Sequence, residues 1–243
     1  MRWRSCISIL LTLTVLSCRP LRVTQLDAYP KSVDGRIGDI DSSVYRFIGN
    51  YKTILDEQMD VVISSSPVDL LKKQPSCNLG NMLADIIFSY ALEHQLHPDF
   101  ALMNQGGIRV VSINKGDLTI RDAYQIMPFD NQIVVLELPG QTVSQLIKHT
   151  ISAGGWPIAN ATVIVDTLTR EINITIAGEA LDSNKTYRVA TNDYIANGGD
   201  QCNFLPGNPL YNTEYLLRDA IIDSWRRNSK GLSIDETQRI RYE

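Results

Sequence analysis

The chain has 243 residues, room for one domain of about 200 residues plus an appendage. Its 44% apolar and 21% charged residues are ordinary for a globular protein and argue against a disordered chain, a coiled coil or a polytopic membrane protein. The net charge of −4 argues against a binder of nucleic-acid backbones, and the three histidines, His94, His97 and His149, narrow the available metal chemistry.

Residues 1–17 read as an export signal. Arg2 and Arg4 form a positive start, and Ile7–Leu16 is a largely apolar run. As a helix that run rises about 15 Å, half of the roughly 30 Å of a bilayer core, which favours a secretory signal over an anchoring helix. Val15-Leu16-Ser17-Cys18 follows. The small residue directly before a cysteine resembles the bacterial lipoprotein cleavage box, with a lipid on Cys18 and a place in the cell envelope. That box prefers Leu where Val15 stands and a smaller residue where Leu16 stands. Ordinary signal cleavage beside an incidental Cys18 is the alternative. Cleavage before Cys18 leaves 21 basic residues against 27 acidic ones, a net of −6. Residues 18–40, polar and irregular with Pro20 and Pro30, read as a tether. Cys6 leaves with the signal. Cys77 and Cys202 remain, either paired, as export permits, or as two free thiols. The N-x-T sequences at Asn160, Asn173 and Asn184 read as chance matches in such a lipoprotein.

The domain is expected over residues 41–243. Ser43 is placed to cap a helix carrying Val44, Phe47, Ile48, Tyr51, Ile54 and Leu55 on one face. Val61–Ser64 reads as a strand. Leu79, Met82, Leu83, Ile86, Ile87, Tyr90 and Ala91 form a second helical stripe, with Asn78 as its cap. Phe100–Met103 is a short apolar strand before the turn Gln105-Gly106-Gly107. Ile133–Leu138 is a strand, broken by Pro139-Gly140 ahead of a helix over about 141–152. Strands follow at Ala161–Thr167, Glu171–Ile176 and Thr186–Thr191. A last helix carries Leu216, Leu217, Ala220, Ile221 and Trp225, and Arg239–Tyr242 reads as an edge strand. Helices and strands are interspersed without regular βαβ alternation, which predicts a single α+β domain with a mixed sheet packed by helices.

Four segments set polar or aromatic residues at turns, three of them beside glycine. They are Ser76–Asn81 with Asp85, Asn104–Arg109, Pro128–Asn131 and Asn192–Asp200. Glycine pairs let backbone approach a ligand or adopt positive φ. Singly, each segment is accounted for as a turn or a helix cap.

Taken in order, "NLGNMLADI", "NQGGIR", "GDLTIRDAYQIMPFDN", "LELPGQTV" and "NDYIANGGD" resemble the C-terminal domain of the 5′-nucleotidase family, which includes UDP-sugar hydrolases and 2′,3′-cyclic phosphodiesterases. The resemblance spans about residues 61–205. It implies a domain that binds the nucleoside part of a substrate. Phe129 and Tyr194 match the two rings between which the base lies. Such stacking contributes about 1–3 kcal/mol per base and tolerates different bases. Asp200 matches the acceptor of the ribose hydroxyls, Arg109 the donor to the sugar side, and Asn104, beside Gly107, a ligand contact. A carboxylate suits a diol because it only accepts, and arginine offers a planar fork of donors. Where the family carries a further arginine before the first motif, this chain has Lys73, which lacks that fork. Gln201 and Cys202 replace the Gly and aromatic that usually follow GGD.

Full-length members of that family carry catalysis in an N-terminal metallophosphatase domain whose D-x-H and G-N-H-[DE] motifs hold two divalent metals. Neither motif occurs here, and His97-Pro98-Asp99 reverses the first. No G-x-S-x-G, P-loop or G-x-G-x-x-G replaces them. Asp39/Asp41 and Asp56/Asp60 read as capping or solvated charges. The expectation is therefore a nucleoside- or nucleotide-recognition subunit, with no cofactor of its own, inactive alone and working with a separately encoded metallophosphatase. A solitary envelope nucleoside-binding protein, or an enzyme with an unrecognised site, are the alternatives.

Overall fold

The computed structural model describes residues 42–243, so the export signal, the tether and Cys18 lie outside the described residues. Residues 50–243 form one compact unit; of the other, residues 1–49, only 42–49 are described.

In chain order the elements are α1 (Ser42–Met59), β1 (Val62–Ser66), β2 (Leu70–Leu71), α2 (Asn78–Glu93), β3 (Phe100–Leu102), β4 (Ser112–Ile113), β5 (Gly116–Thr119) and α3 (Ile120–Ile126). Then come β6 (Gln132–Pro139), α4 (Gly140–Ser152), β7 (Ile158–Ala159), β8 (Ala161–Val165), β9 (Ile172–Ile176), β10 (Glu179–Ala180) and β11 (Thr186–Asn192). α5 (Asp193–Ala196), β12 (Leu210–Leu216), α6 (Leu217–Arg227) and β13 (Ile240–Tyr242) close the chain. A five-stranded sheet has the order β12–β6–β11–β3–β7, and a four-stranded sheet the order β10–β9–β8–β13. β11 pairs parallel to β3 and antiparallel to β6, and β13 pairs parallel to β8. The mixed α+β architecture and the edge position of β13 agree with the sequence pattern.

Both faces of the larger sheet are covered, which is why Ile133–Leu138 is an almost unbroken apolar run. Ile133 and Val135 face a core shared with Leu79, Leu83, Ile87 and Trp225 of α2 and α6. Val134, Leu136 and Leu138 face a second core with Val143, Leu146 and Ile147 of α4 and Val163 and Ile174 of the smaller sheet. Each such fully buried large side chain contributes about 1.5–3 kcal/mol.

Three features depart from the sequence expectation. Asn78 is the first residue of α2 and not its cap. Its carboxamide donates to Asp69 O (2.9 Å) and accepts from Leu71 N (2.7 Å), tying down β2. The cap falls to Cys77, whose Sγ accepts from Gly80 N at 3.3 Å. Ser42 opens α1, so Ser43 lies in its first turn. The α1 helix forms, yet its apolar stripe is no part of the core: Ile54 is 57% and Leu55 51% exposed. Its polar side is what is held, because Arg121 of α3 donates to Asp56 (2.6 Å) and Asp60 (2.5 Å). The Lys52 ammonium and the Arg121 guanidinium hold the Asp56 carboxyl below the usual carboxylate range.

Among the described residues Cys77 and Cys202 are both free thiols. Among the described residues no helix is long and apolar enough to cross a membrane.

Candidate functional site

Because β3 and β11 are parallel, their C-terminal ends open on the same edge of the sheet, and antiparallel β6 begins there. Three of the four singled-out segments are the connections at that edge. Asn104–Arg109 follows β3, Pro128–Asn131 precedes β6, and Asn192–Asp200 runs out of β11. Together they enclose a cleft of about 330 Å³. Asn104, Gly107, Arg109, Phe129, Tyr194 and Asp200 all line it, with Gly106 and Asn131 completing the wall.

At its floor is a hydrogen-bonded chain. Asn192 caps α5 by accepting from Ile195 N (2.9 Å) and donates through Nδ2 to Asn104 Oδ1 (3.2 Å). Asn104 Nδ2 donates to Asp200 Oδ2 at 2.7 Å. Tyr194 Oη donates to the other carboxylate oxygen, Asp200 Oδ1, at 2.8 Å. Asn104 and Asn192 are buried, so these amides are spent on fixing the carboxylate. Asp200 adopts a left-handed conformation (φ 47°), and His149 Nε2 meets its carbonyl oxygen at 2.8 Å. A carbonyl only accepts, so Nε2 is the donor in this contact. Gly199 is required here, since a Cβ on it would lie 2.5 Å from Tyr194 Cε1.

The walls are aromatic and cationic. Phe129 is 40% and Tyr194 45% exposed, so both rings present surface to the cleft. The Arg109 guanidinium lies 5.5 Å from the Phe129 ring centroid, and its Nη1 donates to Gly106 O at 3.3 Å. The cleft thus offers two flat apolar surfaces, a carboxylate with spare acceptor capacity and a cation. That set suits a planar ring joined to a diol.

The remaining residues singled out from the sequence lie elsewhere. Lys73 is exposed and does not line the cleft; with Lys72, Gln105 and Val111 it borders an open groove that adjoins the cleft at Gly106. In the first segment Asn81 donates to Asp235 O and Thr237 O. Asp85 receives both terminal nitrogens of Arg239 at 2.7 Å, so that segment builds the scaffold. Cys202 is buried beneath the rim, where burial and then the Asp200 charge push its thiol up to about 11. Among the described residues no group of three or more His, Cys, Asp or Glu side chains is placed to hold a metal ion.

Sequence reasoning passed over His149 and Arg218. Neither carries a local signal, because each reaches the site from a helix distant in sequence.

A sequence model of the 5'-nucleotidase, C-terminal domain, matches residues 61–206, more than half of the chain. The chain belongs to this family. Protein UshA of Yersinia enterocolitica is 35% identical over an alignment of 148 positions that covers 55% of this chain and 26% of that protein. The 5'-nucleotidase of Vibrio cholerae is 27% identical over an alignment of 199 positions that covers 78% of this chain and 35% of the relative. A crystal structure of a 5'-nucleotidase precursor from Thermus thermophilus superposes with a TM-score of 0.72 at 26% identity, covering 82% of this chain and 43% of that one. The chain therefore spans less than half the length of each of these relatives. All three segments that form the cleft fall inside the matched 5'-nucleotidase C-terminal domain.

Proposed function

We propose that this 5'-nucleotidase C-terminal domain is a nucleoside- or nucleotide-recognition subunit that works with a separately encoded metallophosphatase, held at the bacterial envelope by lipid on Cys18. The single observation that carries the recognition role is the cleft itself: two exposed aromatic rings, Phe129 and Tyr194, beside a carboxylate already aimed by Asn104 and Tyr194. The base lies against the rings, with stacking worth about 1–3 kcal/mol. The ribose hydroxyls donate to Asp200, whose two oxygens each hold one protein donor and keep room for another. Arg109 supplies positive charge toward the sugar and whatever phosphate it carries.

Catalysis outside this domain is supported by the family membership, since the relatives are more than twice the length matched here and the two metals that phosphate-ester hydrolysis uses need ligands that the described residues do not bring together. The envelope location is supported by the short apolar run ending in Ser17-Cys18.

Calorimetry on the purified protein with adenosine, adenine and AMP tests the recognition role. Adenosine is expected to bind more tightly than adenine, because the free base forfeits the Asp200 contacts. Absence of binding by all three, alone and with a metallophosphatase partner present, removes the proposal. Mass spectrometry of the membrane fraction tests the anchor: two or three acyl chains on Cys18 are expected, since one chain holds a protein to a membrane only marginally. A soluble mature form beginning at another residue refutes it.

A further inference from the structure

We infer that Arg218 is a positioning residue for the nucleoside site, locking the turn that presents Phe129. The inference rests on the reading of Phe129 as a stacking surface for the base.

Arg218 stands in the first turn of α6 and is 8% exposed. A cation there is opposed twice. Burial costs it hydration, and the N-terminus of a helix is the positive end of the helix dipole. Neighbouring Asp219 has the sign that this position favours. An arginine at this place therefore needs compensation from outside its own helix, and the contacts it makes point to one purpose. Nη1 donates to the carbonyl oxygen of Phe129 at 3.3 Å, and Nη2 donates to Asp130 Oδ1 at 2.8 Å. The guanidinium lies 4.3 Å from the centroid of the Tyr124 ring on α3, which gives the planar group a face to rest on. Among the described residues Nε has no hydrogen-bond partner, so the hydrogen bonds of the fork go to the turn alone.

The arrangement is lopsided in an informative way. The Arg218 side chain is 9% exposed, whereas its partner Asp130 is 78% exposed. An exposed aspartate gains little from an ion pair at the surface. What the pair does secure is the backbone between Phe129 and Asp130, gripped from one side. Leu217 N donates to Asn131 O at 2.8 Å and secures the next residue. Two consecutive residues of α6 thus hold three consecutive residues of the turn. The Phe129 ring reaches into solvent with the Arg109 guanidinium 5.5 Å from its centroid. Its direction is therefore set largely by the backbone that Arg218 holds. Lysine cannot do this, because one ammonium lacks the planar fork that spans a carbonyl and a carboxylate.

A double-mutant cycle read by adenosine calorimetry tests the inference. Phe129→Ala, Arg218→Met and the double variant are compared, with Arg218→Lys as the conservative control. Arg218→Met is expected to weaken adenosine binding roughly 3- to 30-fold, in the range of coupling between contacting residues. In the Phe129→Ala background the same change is expected to cost nothing further, and Arg218→Lys restores only part of the loss. A merely structural role predicts equal losses in both backgrounds. That result overturns the inference and leaves the stacking reading intact. Full affinity in a folded Arg218→Met protein overturns it as well. Full affinity in Phe129→Ala ends the stacking reading and this inference with it. Should Arg218→Met fail to fold, Asp130→Ala removes the anchor from the exposed side and carries the same expectation in the same two backgrounds.

Discussion

Asn104 and Asp200 lie 96 residues apart and are joined by one hydrogen bond, from Asn104 Nδ2 to Asp200 Oδ2 at 2.7 Å. That bond ties the end of β3 to the short turn beyond β11. It aims the carboxylate before any ligand arrives. A carboxylate has about four lone-pair sites, so with Asn104 and Tyr194 each taking one, two remain for a diol.

Asp200→Asn is expected to weaken adenosine binding by about tenfold or more, since hydrogen bonds to a charged group contribute about 1.5–3 kcal/mol. Adenine binding should change far less, because the free base has no ribose. Calorimetry with both ligands makes the comparison. Equal losses for the two would remove Asp200 from the ribose contact.

Phe129→Ala is expected to leave the melting temperature nearly unchanged, because the ring is 40% exposed and adds little to either core. Adenosine affinity should fall about 5- to 150-fold, the equivalent of one lost stacking face. A large drop in melting temperature would mark a core residue, for which Phe→Ala costs about 3–5 kcal/mol.

Cys202 and Cys77 should react differently. Burial and the Asp200 charge raise the Cys202 thiol from 9.0 to about 11, while Cys77 is only partly buried. The raised value means that the fold favours the neutral thiol. Its stabilising contribution is fully present below pH 9 and is lost as the pH rises toward 11. A thiol reagent at pH 8 should therefore label Cys77 and spare Cys202 until denaturant is added. Melting curves should fall more steeply across that alkaline interval in the native protein than in Cys202→Ala. Labelling of both cysteines at one rate in the folded state would contradict the burial.

The purified chain is expected to hydrolyse no nucleotide, with or without Mn²⁺ or Zn²⁺. Phosphate release assays on AMP and on a cyclic nucleotide measure this directly. Metal-dependent turnover that survives stringent purification and vanishes in Arg109 or Asp200 variants would reveal a site of its own.

Much of the fold is legible in the sequence where burial is complete. β6, β8 and β11 carry apolar runs or alternation, and α2, α4 and α6 carry stripes of helical period. β12 escapes that reading. Its segment, Leu210–Leu216, is mostly exposed and lies at a sheet edge, so nothing forces apolar alternation upon it. The α1 stripe misleads in the opposite sense: the periodicity is present, and Ile54 and Leu55 still stand exposed. Asn78 reads as the cap of α2 because asparagine is a favoured cap residue, but β2 and the turn before it claim its carboxamide.

The sequence by itself carried the family resemblance and the order of the motifs, and through that resemblance it pointed to Asn104, Arg109, Phe129, Tyr194 and Asp200, because motif residues are local properties. Only the tertiary structure decided that three of the four segments share one cleft while the first serves the scaffold through Asp85 and Arg239. Only it showed His149 behind the Asp200 carbonyl and Arg218 behind the Phe129 turn. The physical reason lies in the pairing of β3, β6 and β11. It gathers loops distant in sequence on one edge, and a buried polar group must then find its partner across that distance.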